Sequence, residues 1–188
     1  MRPNAVVLVV VAAAIVGACP DAVWAQQRPA FYVTIDGTRQ GRLKGESAAP
    51  AHAGQLPGLR FTYNVTSPRD TIRDTAIGLA PAARQQSTIV FTKEWGAASP
   101  QLFSAAVTNE VLKSVVFEFV KSNGAGQEYV FQTIRLTNAS VTAIRMVVGP
   151  LGADGPDRPY EEVSLTFQSI TIENADGKTV GMDSRGVR

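Results

Sequence analysis

The chain has 188 residues, 45% of them hydrophobic and 18% charged, with 16 Gly and 11 Pro, proportions of one ordinary globular domain rather than of a disordered or fibrous chain. Its 18 Lys and Arg against 16 Asp and Glu leave a formal charge of +2, too small and too dispersed to be the footprint of a nucleic-acid binder. With 1 His and 1 Cys, zinc clusters, disulfide scaffolds and paired Cys/His catalysis have no starting point.

Arg2 precedes an unbroken apolar run over residues 5–18. The run is shorter than the roughly 20 residues a membrane span needs, but it suits the apolar region of a secretory signal. Val23, Trp24 and Ala25 then predict cleavage before Gln26, so residues 1–25 read as a signal peptide and the mature chain lacks cysteine. A second reading stays open: Val16, Gly17, Ala18 and Cys19 look like a bacterial lipobox, in which Cys19 would be acylated and become the new N-terminus. Either route places the folded part outside the cytoplasm, periplasmic or extracellular. It is lipid-anchored only if Cys19 is acylated, and it has no membrane span after processing.

From Phe31 onward apolar residues recur with period two, the pattern of half-buried strands. A strand is predicted over residues 31–36. A Gly-, Ala- and Pro-rich segment at 40–57 reads as a long loop, followed by a strand from Leu59 to Thr66. An irregular stretch at 69–86 leads into a strand at 87–93 with Ile89 and Phe91 on one face. Ser99 as N-cap and Pro100 at the first helical position then open a helix to about Asn109, with Leu102, Phe103, Ala106 and Val107 as its inward stripe. Strands at 115–120 and 128–137 form a hairpin across the 122–126 turn. A separate strand follows at 140–148, and a loop at 149–159. The last strand carries Val163, Leu165 and Phe167 in phase and Ile170 and Ile172 one step out, which predicts a β-bulge near Gln168 and Ser169. The folded domain therefore spans 26–176, a polar tail 177–188. The pattern is mainly β, a compact barrel or sandwich with one short α-helix.

The order of these segments resembles the Hcp family, the haemolysin-coregulated proteins that form the inner tube of type VI secretion systems. Lys44, Gly45, Glu46 and Ser47 look like the family's Gly-Glu-Ser loop, and His52 falls where many members carry a loop histidine. The most specific block is Phe91-Thr92-Lys93 through Ala98-Ser99-Pro100-Gln101-Leu102, similar to the family's strand, turn and capped helix. Gln127-Glu128-Tyr129 and Glu161-Glu162-Val163-Ser164-Leu165 resemble later family strands. Glu94-Trp95-Gly96 departs from the family's more usual charged turn before the helix, and the export signal is a second departure. The resemblance implies a β-barrel of two antiparallel sheets with one α-helix, assembling with itself into a homohexameric ring that can stack. The remaining partners it suggests are secretion-machine components or effectors.

On that resemblance Lys44, Gly45, Glu46, Ser47 and His52 form the candidate subunit-contact loop. His52 has no acidic group close in sequence, which removes the simplest acid–base role. Asp154, Asp157, Glu161 and Glu162 gather around a Gly-Pro loop, but their spacing is not that of a calcium-binding EF-hand. Trp95 reads as a packing anchor. Gly-x-Ser-x-Gly elbows, Walker loops and dinucleotide glycine patterns are missing, so no enzyme, cofactor or metal is expected. The main expectation is an exported, non-enzymatic ring protein; the rival is a monomeric secreted or lipid-anchored binding module that reuses the barrel.

Overall fold

The period-two pattern becomes strand in a computed structural model that describes residues 29–66, 85–86, 88–152 and 155–184. Among these residues are eleven strands, one α-helix and one 3-10 turn: β1 (Phe31–Gly37), the turn at Pro50–His52, β2 (Leu56–Gly58), β3 (Arg60–Thr62), β4 (Val65–Thr66), β5 (Gln85–Gln86), β6 (Ile89–Glu94), α1 (Ser99–Val107), β7 (Val111–Ser122), β8 (Glu128–Pro150), β9 (Asp157–Thr166), β10 (Ser169–Asn174) and β11 (Thr179–Ser184). The signal segment, Cys19 and Asp154 lie outside the described residues, as does the 69–86 stretch apart from the pair that makes β5.

The sheet is antiparallel, with strand order β2-β1-β7-β8-β9-β6-β3. Its two ends are neighbours in the chain. β2 pairs with β1, β3 pairs with β6, and only Leu59 separates β2 from β3. The Leu59 N–H donates to the Thr92 carbonyl at 2.8 Å, so the path closes on itself as a barrel. Closure removes the unpaired backbone edges that an open sheet of this size would expose. The expected two sheets are thus joined through one hydrogen-bonded circuit, with β10 and β11 attached beside β8 and the short β4–β5 ribbon apart.

Inward residues of facing strands fill the barrel. Phe31, Phe61, Phe91, Phe117 and Phe119 pack with ring centroids 5.1 to 6.0 Å apart, mostly edge-to-face or tilted, arrangements that favour aromatic pairs electrostatically. Leu102 and Ala105 of α1 are fully buried in the same core.

Several elements differ from the sequence expectation. The strands read at 128–137 and 140–148 are one, β8, which bends at Asn138 (φ 49°). Its partner breaks opposite the bend: β9 pairs with the second half of β8 and β10 with the first. The phase slip at 168–169 is therefore a gap between strands rather than a bulge, closed by the Gln168 N–H on the Thr137 carbonyl and Asn138 Nδ2 on Gln168 Oε1. The 149–159 loop shrinks because β8 runs to Pro150 and β9 starts at Asp157. The strand read from Leu59 to Thr66 divides into two pieces, since β3 pairs with β6 in the barrel while β4 pairs with β5 in the separate ribbon. Within the polar tail, β11 forms, pairing with β10 over its whole length.

The helix also needs two corrections. Its N-cap is Ala98, with Ser99 already inside, because the Ser99 hydroxyl is committed elsewhere. Its inward stripe is Ser99, Leu102 and Ala105, with the expected Ala106 half-buried against the core, whereas Phe103 and Val107 are 54% and 61% exposed.

Candidate functional site: a buried clamp and its neighbouring pocket

In β6 the residues at period two, Ile89, Phe91 and Lys93, all face inward; in β9 so do Glu161, Val163 and Leu165. Lys93 and Glu161 are direct partners across the two strands. A charge in phase with core residues needs an opposite charge and hydrogen bonds to be tolerated. Lys93 Nζ lies 3.2 Å from Glu161 Oε1, and both side chains are fully buried. Nζ also donates to the Glu94 carbonyl at 2.5 Å and to Ser99 Oγ at 3.4 Å. Ser99 Oγ in turn donates to Glu161 Oε1 at 3.0 Å and accepts the Gly96 N–H at 3.0 Å. That engagement is what takes Ser99 out of the capping role.

Glu46 completes the cluster, its Oε1 3.4 Å from Lys93 Nζ. Its carboxylate lies against Gly96, where a Cβ would overlap it. The segments quoted for the family resemblance, the Lys44–Ser47 loop, the Phe91-Thr92-Lys93 strand, Ser99 and Glu161, thus meet at one point under the start of α1. One lysine faces two carboxylates there, and Glu161 Oε2 has no hydrogen-bond partner among the described residues. Glu161 belongs to this clamp, and no group of three or more His, Cys, Asp or Glu side chains positioned to hold a metal occurs among the described residues.

The candidate contact loop is folded back on the barrel. The Gly45 N–H donates to the Gly54 carbonyl, Ser47 N–H to Gln55, and Gly54 N–H to Ser47, so the two arms pair. A Cβ on Gly45 would collide with the Gln55 backbone, which explains the glycine. The Lys44 N–H donates to Gln101 Oε1 at 2.8 Å, while residue 44 stays exposed. His52 is buried and stacks on Tyr32 with ring centroids 3.9 Å apart and an interplanar angle of 7°. Its Nδ1–H donates to Gln55 Oε1 at 2.6 Å, and Gln55 Nε2 donates to Thr34 Oγ1 and to Glu118 Oε2. The acidic group absent near His52 in sequence is supplied in space by Glu118, 3.5 Å from Nδ1. Burial and the Glu128 charge push the Tyr32 phenol above the ordinary tyrosine range.

At the other end of β1, Glu110 supports the turn that sequence reading missed. The Arg39 and Gln40 N–H groups and Gln40 Nε2 all donate to its carboxylate. Burial works against its charge, but the Gln40 and Arg39 hydrogen bonds and the Arg39 charge outweigh burial and hold the carboxyl below its usual pKa.

A pocket of about 320 Å³ opens beside the clamp, lined among others by Pro29, Tyr32, Glu46, Pro57, Glu94 and Trp95. Trp95 is fixed there by its indole N–H on the Tyr160 carbonyl at 2.9 Å and remains 44% exposed.

A family model described as "Type VI secretion system effector, Hcp" matches residues 32–173. The chain belongs to the Hcp family. The matched region runs from β1 almost to the end of β10 and takes in the clamp, the loop and the pocket wall apart from Pro29. Among the relatives of this Hcp protein, the major exported protein of Pseudomonas aeruginosa PAO1 is 26% identical over 165 residues, spanning 81% of this chain and 92% of that one. Among solved structures, an Hcp1 double mutant from E. coli EAEC 042 superposes with a TM-score of 0.70 at 25% identity, covering 84% of this chain and 99% of that one. The secreted protein Hcp3 from Pseudomonas aeruginosa gives 0.64 at 24% identity over 82% and 98% of the two chains, and supports the fold alone. Membership favours the type VI tube or secreted Hcp reading over the lone binding module. Among the described residues no helix is long and apolar enough to cross a membrane.

Proposed function

We propose that this Hcp protein is an exported, non-enzymatic ring subunit of a type VI secretion system. The observation that carries the reading is where the chain places its chemistry and its apolar surface. The buried ionic groups Lys93 and Glu161 are consumed in holding strand to strand and strand to helix, and buried Glu110 in holding the Arg39–Gln40 turn. Apolar side chains are left outside: Phe103 and Val107, one turn apart on α1, and Val111 just beyond are 54%, 61% and 41% exposed. Such a cluster on a small protein is suited to contact with another protein surface. In a closed ring that contact is heterologous, one face of a subunit against a different face of the next.

Within that reading the Lys44–Ser47 and His52 loop is a subunit or ring-to-ring contact. Gly45, Glu46, Ser47 and His52 hold its shape, and the exposed Lys44, Ala48 and Pro50 present its surface. Residues 1–25 serve as the export signal. Sedimentation velocity of the purified chain should show a hexamer-sized species, and electron microscopy rings. A strict monomer at micromolar concentration overturns the proposal.

A further inference from the structure

As a pair of ions, the clamp is unbalanced. An ammonium group has three protons to give. Around Lys93 Nζ stand the Glu94 carbonyl at 2.5 Å, Glu161 Oε1 at 3.2 Å, and Ser99 Oγ and Glu46 Oε1 each at 3.4 Å, one acceptor more than the protons can serve. Across the pair the imbalance is reversed: Glu161 Oε2 is buried with no hydrogen-bond partner among the described residues. Both side chains are fully buried, so the ions carry a desolvation cost that a neutral linkage between the same two groups would not. The register of β6 against β9 sets the two residues directly opposite, which holds the amine against the carboxyl and removes the entropic cost of bringing them together.

We infer that Lys93 and Glu161 are joined by an isopeptide bond that the folded barrel makes within itself. Glu46, in contact with Nζ, accepts a proton from the Lys93 ammonium, and the lone pair this frees attacks Cδ of Glu161. The Nζ–Cδ bond forms and the Cδ–Oε2 bond breaks. Oε2 leaves as water with two of the three ammonium protons; the third stays as the amide N–H, and the two opposite charges disappear together, with no oxidant or other reactant needed. Ser99 Oγ donates to Oε1, where negative charge builds during the attack. Glu46 is 30% exposed at its side chain and also lines the 320 Å³ pocket, which gives the released water a way out. In the product the amide N–H faces the Glu94 carbonyl, the amide oxygen keeps the Ser99 hydroxyl, and the unpartnered oxygen is gone. Positions 68 apart in the chain become one covalent link between β6 and β9. The reaction happens once and consumes its own residues, so it is a maturation of the fold and not a turnover.

Mass spectrometry of the denatured full chain tests the inference. The natural chain should be lighter than its sequence by one water. Trypsin should release residues 85–113 joined to residues 146–178, because an acylated Lys93 is no longer cleaved. That joined peptide does not depend on where the N-terminus is processed. Lys93→Arg keeps the positive charge without the nucleophile and should show the full mass. Glu46→Gln leaves the Lys93–Glu161 pair in place and, folded by circular dichroism, should yield at least tenfold less joined peptide. A natural chain of full sequence mass overturns the inference, and so does a water loss without the joined peptide, which places the dehydration elsewhere. Joined peptide at the natural level in Glu46→Gln overturns the proton transfer assigned to Glu46.

Discussion

Lys93 is the residue on which the most structure converges, and its cost is set by what it leaves behind when removed. With Glu161 fully buried beside it, Lys93→Met strands a carboxylate that already has one oxygen without a partner. A single substitution that leaves a buried charge unpaired costs about 3–5 kcal/mol, whereas replacing both charges with apolar residues of similar volume is close to neutral. Lys93→Met and Glu161→Leu should therefore each destabilise by about 3–5 kcal/mol in urea denaturation, and the double variant by clearly less than either. Additive losses, or single losses under about 1 kcal/mol, would show that the clamp does not act as a unit. The clamp was readable in principle: Lys93 keeps step with Ile89 and Phe91, and Glu161 with Val163 and Leu165. What the sequence could not show is that these two phases face each other, since that depends on the register of β6 against β9. The same limit hid Glu118 from His52, which pairs across 66 positions of chain through the β1–β7 contact.

Elements were legible where a local pattern decides them and misread where a neighbour does. The alternation over β1, β6 and β7 was sufficient because each of these strands turns one fully buried face to the core. The α1 stripe was misjudged at Phe103 and Val107 because Leu102, Phe103, Ala106 and Val107 satisfy a helical face equally well, and only packing against β8 turns the helix so that Leu102, Ala105 and Ala106 meet the core. β8 looked like two strands because Asn138 adopts a positive φ in mid-run, which Asn tolerates better than most residues. Polar β11 gave no apolar signal, since its strand state comes from backbone pairing with β10. The β1-to-loop turn is likewise made by a distant residue, and Glu110 ties its stability to pH. Its carboxyl has a lower pKa folded than unfolded, so the stabilisation is complete above the unfolded value and is lost as pH falls through the folded one. Glu110→Gln removes the charge that the Arg39 and Gln40 N–H groups address and should cost about 1–3 kcal/mol at pH 7. In urea titrations from pH 7 to pH 3 the gap between the natural chain and Glu110→Gln should shrink steadily. A gap independent of pH would mean that the turn does not depend on the ionised carboxylate.

For the whole molecule, closure through Leu59 means that the barrel has its complete set of neighbours without β11. The circuit of β1, β7, β8, β9, β6 and the β2–β3 segment uses no residue beyond Thr166, and the Hcp match itself stops at residue 173. β10 still has β8 on its other side. β11 contributes little apolar burial, with Val180 and Met182 63% and 78% exposed, although Asp183 is half-buried and makes a contact of its own. An exposed outer strand held mainly by backbone hydrogen bonds is worth little net, because water replaces those bonds on unfolding. Removing residues 179–188 should therefore leave the circular-dichroism spectrum strand-like and lower stability by about 1–2 kcal/mol, a fall of roughly 2–8 °C in Tm for a chain of this size. The truncated chain should assemble as the full chain does, since neither the exposed Phe103, Val107 and Val111 side chains nor the Lys44–Ser47 loop is touched. If truncation instead unfolds the protein, β11 closes the core in a way its exposure does not suggest. If the truncated chain stays folded but no longer assembles, the apolar Val180 and Met182 face carries the contact.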